Sequence, residues 1–142
     1  MLVKAYFIGL LALSASMLAH ADTRLYQIRS KDVGWNTIDL TITETRREAR
    51  ISYLNIPRYR NRTSVESRFA MCAFTDIALR RDFQVWIVAD GSLSGDKVEV
   101  GFLKTEEEDV KTTLGERFAG PQVLRATVKV VNRMCGIRER PR

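Results

Sequence analysis

Apolar and polar residues alternate most clearly in the first half of the chain. From Asn36 to Thr43, isoleucine and leucine side chains fall on one side and polar side chains on the other, which predicts a strand with one buried face. A second β-rich run extends from Ala49 to Ile56, and the polar segment Glu44–Glu48 is interpreted as the connection of a hairpin. A short edge strand is expected at Arg24–Arg29.

A long helix is predicted from Ser64 to Arg81, where neither Pro nor Gly interrupts the chain. Thr63 and Glu66 have the spacing of a capping box, in which each residue satisfies a backbone N–H of the other. Apolar residues occupy two faces of this helix, which indicates that it is covered on more than one side. These faces comprise Val65, Phe69, Cys72 and Leu79 on one side and Ala70, Phe74, Ile77 and Ala78 on the other.

The second half of the chain predicts three strands and one short helix. Phe83–Ala89 is almost continuously apolar, which is typical of a strand covered on both faces, and Lys97–Lys104 is expected to pair with it antiparallel. Thr105 opens a second capping box and a helix at Glu106–Leu114, and alternation returns in Val123–Val131. This order predicts an α+β fold: one antiparallel or mixed β-sheet with a long central helix and a short second helix packed on one face.

The N-terminus has the pattern of a signal peptide. Lys4 precedes an apolar run, Ala5–Ala19, and Ala19-His20-Ala21 is a small-x-small cleavage site. The run is too short to span a bilayer, which needs ~20 residues. We therefore expect residues 1–21 to be removed, leaving residues 22–142 as a single α+β domain without a transmembrane anchor. The mature protein is expected to be periplasmic or secreted.

Composition argues against most catalytic chemistries. The only histidine of the chain is His20, which leaves with the signal peptide, so no Ser-His-Asp, Cys-His or histidine-metal arrangement is available. We expect neither a catalytic residue nor a metal or other cofactor. The alternative is an enzyme that relies on carboxylates, with Asp76 and Asp90 as candidates. The acidic run Glu106–Asp109 suits a helix N-terminus better than a cation site, because EF-hand spacing is absent.

Asp76 interrupts an apolar face of the long helix. The residue four positions on is Arg80, which can pair with the carboxylate across one turn. A half-buried acid usually finds such a partner, so a structural role is the first interpretation. Use of Asp76 in catalysis or binding is the alternative.

Two cysteines, Cys72 and Cys135, remain after cleavage. In an oxidising compartment a single pair most simply forms one disulfide, which would tie the C-terminal segment to the long helix. Two separately buried thiols are the alternative, because Cys72 lies on an apolar helix face.

A basic loop precedes the long helix. The loop combines guanidinium groups with an aromatic ring, in Arg58, Tyr59, Arg60 and Arg62. In a nucleotide-binding site the aromatic ring can stack on a base or sugar while the guanidinium groups hold phosphates. The net charge of +6, mostly from arginine, also favours an anionic partner. In an exported protein this points to an anionic envelope component or another periplasmic protein rather than nucleic acid. The plainer interpretation is that the charge serves solubility.

The stretch from Ala49 to Asp90 resembles the core of a group of small exported bacterial proteins of unknown function, many of them lipoproteins. The shared pattern comprises Thr63-Ser64, Asp76, and Asp82-Phe83 leading to Trp86. The pattern has Gly at the position of Asp82, where a left-handed helix end is expected. The resemblance implies the fold and the location, and it implies no activity.

These patterns together predict a small periplasmic binding or interaction protein of the bacterial envelope without catalytic activity. A carboxylate-dependent enzyme or a secreted effector is the alternative.

Overall fold

A computed structural model describes residues 24–89 and 95–136. The expected signal peptide at residues 1–21, the turn that begins at Asp90 and the basic tail at residues 137–142 lie outside the described residues.

Within the described residues, six strands form one antiparallel sheet with the order β1-β2-β3-β5-β4-β6. The α+β fold class is therefore confirmed, and so is the antiparallel pairing of the two strands after the long helix, with Trp86 opposite Phe102. The strands are β1 (Gln27–Arg29), β2 (Thr41–Arg47), β3 (Ile51–Asn55), β4 (Val85–Val88), β5 (Lys97–Leu103) and β6 (Leu124–Thr127).

The hairpin of β2 and β3 differs from its prediction. The segment Glu44–Glu48 is not a polar connection, because β2 continues through Arg47. Glu44 is buried and bonds to Ser52 of β3, and an irregular register after Glu44 lets the two strands stay paired. Strand β2 therefore continues past Ile42, its last apolar residue, and the hydrogen bond between Glu44 and Ser52 joins it to β3 there.

Helix α1 (Ser64–Arg80) is the long helix, and it covers one face of the sheet. The Thr63 hydroxyl accepts a hydrogen bond from the Glu66 N–H at 3.2 Å, which confirms the predicted N-terminal cap. Phe74 packs edge-on against Trp86 of β4, with ring centroids 5.2 Å apart. The Trp86 indole N–H donates to the Thr75 hydroxyl at 2.9 Å, so the largest buried side chain has its polar atom satisfied.

Helix α1 ends in a Schellman motif at Asp82. The Phe83 N–H donates to the Ala78 carbonyl at 2.8 Å, and the Asp82 N–H donates to the Leu79 carbonyl at 3.2 Å. These two bonds define the motif. Asp82 has a φ of 62°, so an aspartate here adopts the left-handed conformation for which glycine is best suited.

Asp82→Gly is expected to raise the free energy of unfolding by about 0.5 kcal/mol, because relief of the left-handed strain exceeds the added entropy of the unfolded chain. Urea unfolding of the two proteins measures the difference. Asp82→Ala is the matched control, since it removes the same carboxylate but keeps a Cβ, and it should not stabilise the protein. An equal gain in both variants would assign the effect to the carboxylate instead of the backbone.

A smaller layer covers the other face of the sheet. Helix α2 (Val110–Leu114) and the 3₁₀ turn Glu116–Phe118 pack there against β4 and β5. A Cβ on Gly101 of β5 would lie 2.8 Å from Leu114 and 3.0 Å from Phe118, so glycine permits this close approach. The sequence prediction places both helices on one face, whereas α2 lies opposite α1 because these two apolar side chains fill the space above Gly101.

Helix α2 is also shorter than predicted. Its N-cap is Asp109, which accepts from the Thr112 N–H at 2.8 Å, and not Thr105. Glu108 accepts from the Lys104 N–H at 2.7 Å, a contact that holds the preceding residues in a turn outside the helix.

The predicted final strand Val123–Val131 is wrong in its second half. The chain leaves the sheet after β6 and forms helix α3 (Val128–Cys135). Val128 and Val131 are both buried. They are three residues apart, so in a helix they lie on the same face and can both pack into the core. Val130, which a continuing strand would place on the same face as Val128, is 58% exposed. Helix α3 packs beside α1 on the same face of the sheet.

Candidate binding surface

Four arginines gather around the start of helix α1, and we call them the arginine surface: Arg58, Arg60, Arg62 and Arg68. The loop that carries the first three is held in place at its beginning. Arg58 has a φ of 57°, and its N–H donates to the Asp96 carboxylate at 2.9 Å. A 3₁₀ turn over Tyr59–Asn61 then brings the chain to the N-cap of α1.

The Arg62 guanidinium is fixed by three contacts. It lies 3.9 Å above the centre of the Tyr59 ring, donates to the Tyr59 carbonyl at 2.7 Å and donates to the Ser67 hydroxyl at 3.3 Å. Tyr59 itself is 2% exposed, and burial raises the pKa of its hydroxyl although Arg62 opposes the shift. The predicted stacking of Tyr59 on a ligand therefore does not fit the structure, and its ring supports Arg62 instead.

A shallow cavity of about 460 Å³ opens beside Arg62. Its lining consists of Arg62, Thr63, Ser64, Ser67 and Arg68. Guanidinium groups, hydroxyls and the first N–H groups of a helix all favour an anion, because each presents a donor or a positive partial charge. The acid of this segment, Glu66, is 7% exposed and lies 3.6 Å from Arg58. Glu66 offsets the charge of Arg58, and Arg60, Arg62 and Arg68 leave the segment with a net positive charge.

The sequence predicted the loop arginines as binding residues, but not Arg68, Ser64 and Ser67, which line the same cavity as Arg62. The capping box at Thr63 and Glu66 could have predicted them, because it fixes where the helix begins. Residues of the first turns then necessarily lie next to the loop that leads into the helix.

Asp76 is engaged in structural contacts. The Tyr26 hydroxyl donates to its carboxylate at 2.9 Å, and Arg80 lies 3.2 Å away, which confirms the predicted pairing of Asp76 with Arg80. Burial and the neighbouring carboxylate raise the pKa of Tyr26. Asp76 thus links α1 to the residues that enter β1, while Asp90 lies outside the described residues.

The acidic run after β5 is used by the fold. Glu108 accepts two hydrogen bonds from the Arg50 guanidinium, at 2.8 and 3.0 Å. These bonds and the Lys104 N–H hold the pKa of Glu108 below its ordinary value. The N-cap bond with Thr112 likewise lowers the pKa of Asp109. Across residues 24–89 and 95–136, no three His, Cys, Asp or Glu side chains are grouped so as to hold a metal ion.

A buried polar network that the sequence analysis missed lies under the C-terminal end of α1. Glu44, 1% exposed, accepts from the Ser52 hydroxyl at 2.6 Å and pairs with Arg47 at 2.7 Å. Arg81 donates to Ser52 at 2.8 Å and to carbonyl groups of the hairpin turn. Burial and the nearby Arg47 lower the pKa of Arg81. Glu44 follows Ile42 at the two-residue spacing of the buried face of β2, and this spacing could have predicted its burial.

The two cysteines form the predicted disulfide. Cys72 of α1 and Cys135 of α3 are bonded, with their Cα atoms 5.7 Å apart. This bond is consistent with an oxidising compartment.

Beside the disulfide is a second cavity, of about 390 Å³, which we call the apolar groove. It lies between α1, α3 and the segment before β2. Its lining consists of Trp35, Arg68, Met71, Val131, Met134 and the disulfide.

Comparison of the chain with protein families, curated proteins and solved structures gives no match. Among the helices that the structure describes, none has the length and apolar character needed to cross a bilayer.

Proposed function

We propose that this protein is an exported bacterial envelope protein that binds phosphate-bearing lipid headgroups through the arginine surface, without catalysing a reaction. The signal-peptide pattern of residues 1–21 supports export, and the disulfide fits an oxidising compartment. Anionic lipid headgroups and lipopolysaccharide phosphates are the abundant anions of such an envelope.

The observation that carries this proposal is the fixed position of Arg62. Its contacts with Tyr59 and Ser67 keep the guanidinium at the rim of the cavity, next to the hydroxyls of the first helical turn. A donor that is already ordered loses little conformational entropy when an anion binds. Arg58 and Arg60 are exposed on the same loop and extend the positive surface around this point.

A role without catalysis is supported by the chemistry of the side chains. Residues 22–142 contain no histidine, and the Asp76 carboxylate is occupied by Tyr26 and Arg80. Binding to a charged surface requires neither a base nor a nucleophile.

The triple variant Arg60→Ala, Arg62→Ala, Arg68→Ala is expected to lose about a hundredfold in affinity for anionic vesicles, since each basic residue near such a surface contributes ~1 kcal/mol. Co-sedimentation with vesicles of phosphatidylcholine and phosphatidylglycerol in equal parts measures the loss. Wild-type binding should also weaken between low and physiological salt, and pure phosphatidylcholine vesicles should bind little protein.

The matched control is Arg46→Ala, Lys111→Ala, Arg125→Ala. It removes the same charge from exposed positions outside the lining of the cavity. This control should retain most of the binding. Equal losses in both triple variants would mean that net charge alone drives association, and the arginine surface would then have no special role.

A further inference from the structure

We propose that the apolar groove takes the acyl chain of a single-chain anionic amphiphile whose headgroup is held by Arg68 and Arg62. This inference rests on the proposed function and names the ligand that the arginine surface and the groove would bind together. The ligand class is a fatty acid or a lysophospholipid with an anionic headgroup.

The groove has the composition of a site for a flexible hydrocarbon chain. Trp35 packs edge-on against Phe69, with ring centroids 5.6 Å apart, and is only partly covered. Met134 is 65% exposed at the rim, and Met71 is partly buried in the wall. Methionine adapts its shape to a ligand because its side chain is unbranched and polarisable. These side chains line one groove together with Val131 and the disulfide, and a contiguous apolar surface of this kind is typical of a binding site.

The groove is continuous with the basic cavity. Arg68 lines both of them. On helix α1, residues three and four positions apart are neighbours, so Arg68 lies directly next to Met71 and Cys72, which belong to the groove. On its other side Arg68 shares the basic cavity with Arg62 and Ser67. A ligand with its anionic end at Arg68 therefore has its apolar end directed into the groove.

Size favours one chain. The groove volume of about 390 Å³ lies in the lower part of the range of ~300–1,000 Å³ that is typical of small-molecule sites. The disulfide makes the wall rigid, because it joins Cys72 of one helix to Cys135 of the other. A pre-formed wall of this kind lowers the ordering cost of binding. The two cavities together therefore fit one headgroup and one chain.

The position of the two tryptophans provides a direct assay. Trp35 lines the groove, whereas Trp86 is 0% exposed beneath α1. A short-chain lysophosphatidylglycerol, kept below its critical micelle concentration, should change the Trp35 emission in a saturable way. Trp35→Phe should abolish the emission change while isothermal calorimetry still detects binding. Lysophosphatidylcholine of the same chain length should bind about tenfold more weakly, since it lacks the net negative charge.

Met134→Glu separates the groove from the arginine surface. It places a carboxylate at the rim, and we expect about a tenfold or greater loss in affinity for lysophosphatidylglycerol. The matched control is Leu25→Glu, because Leu25 is also exposed, at 46%, but lies outside the groove lining. It should bind like the wild type. Arg68→Ala should lose about tenfold, because a charge-assisted hydrogen bond is removed.

The outcomes distinguish this inference from the proposed function. If anionic vesicles bind through the arginines but Met134→Glu leaves lysophosphatidylglycerol affinity unchanged, the groove proposal is overturned and the proposed function stands. If Met134→Glu instead converts a dimer to a monomer in sedimentation experiments, a second copy of the chain occupies the groove and the proposal is also wrong. If neither vesicles nor lysophosphatidylglycerol bind at either salt concentration, both proposals fail.

Discussion

Replacing both Cys72 and Cys135 by alanine is expected to lower the free energy of unfolding by ~4 kcal/mol. The two residues are 63 positions apart in the chain, so the bond closes a long loop and removes much conformational freedom from the unfolded state. It also fixes α3 against α1. Urea unfolding of the double variant and of the oxidised wild type, each followed by circular dichroism, measures the difference.

Two controls separate the bond from the packing of the cysteine side chains. The wild type unfolded in the presence of a reductant should match the double variant, because both lack the bond. Cys72→Ala alone should be equally unstable, since one cysteine cannot form the bond. A double variant within about 1 kcal/mol of the oxidised wild type would contradict the loop-entropy account.

Glu44→Ala is expected to cost ~3 kcal/mol, the second largest effect. The buried carboxylate is the partner of Arg47 and Ser52, and Arg81 reaches the same hydroxyl. Without the acid, two guanidinium groups remain near each other with their negative partner gone, and removal of one member of a buried pair is strongly destabilising. Chemical unfolding at neutral pH gives the value.

The neighbouring Glu48→Ala is the matched control. Glu48 belongs to the same hairpin and pairs with Arg46, but its side chain is 47% exposed. An exposed ion pair contributes ~0–1 kcal/mol, so the loss should be small. Glu44→Gln should lie between the two, because the amide keeps a hydrogen bond to Ser52 and gives up the charge. Similar losses for Glu44→Ala and Glu48→Ala would show that burial of the network matters little.

Much of the fold could be predicted where local chemistry and tertiary context agree. Helix α1 carries a cap at Thr63 and an unbroken helical run, so its start was clear. The Phe83–Ala89 run predicts a buried strand because it is almost entirely apolar. The disulfide followed from cysteine number and compartment. For the helix and the strand one signal pointed to one structure, whereas the disulfide had two buried thiols as its alternative.

The misses occurred where one pattern suits two structures. In Val123–Val131 the apolar positions fit a strand, yet Val128 and Val131 also fit one face of a helix, and the packing against α1 decides between them. Glu44 was assigned to a loop because charge usually indicates exposure, but Ser52, a strand away, satisfies it. Ser52 is only eight positions from Glu44, but Arg81, which donates to the same hydroxyl, is 29 positions from Ser52, and a local sequence pattern does not contain that contact.

For the candidate site, the structure places the predicted arginines on one loop before α1 and buries Tyr59. The loop arginines were identified from their clustering, whereas Tyr59 was assigned to the ligand. Its burial makes it the support of Arg62 instead. An aromatic residue between arginines can stack outward or inward, and the choice depends on the core below the loop, which the local sequence does not specify.

The change from strand to helix at Val128 also shortens the edge strand that could pair with the sheet of a neighbouring molecule. Strand β6 is an edge of the sheet, but it is four residues long and carries the exposed Arg125. Short, charged edges resist intermolecular pairing. An extended 123–131 segment would present a far longer, valine-rich edge of the kind that seeds aggregation. Since the disulfide joins the end of α3 to α1, it holds this segment in the helix and away from the open edge of the sheet.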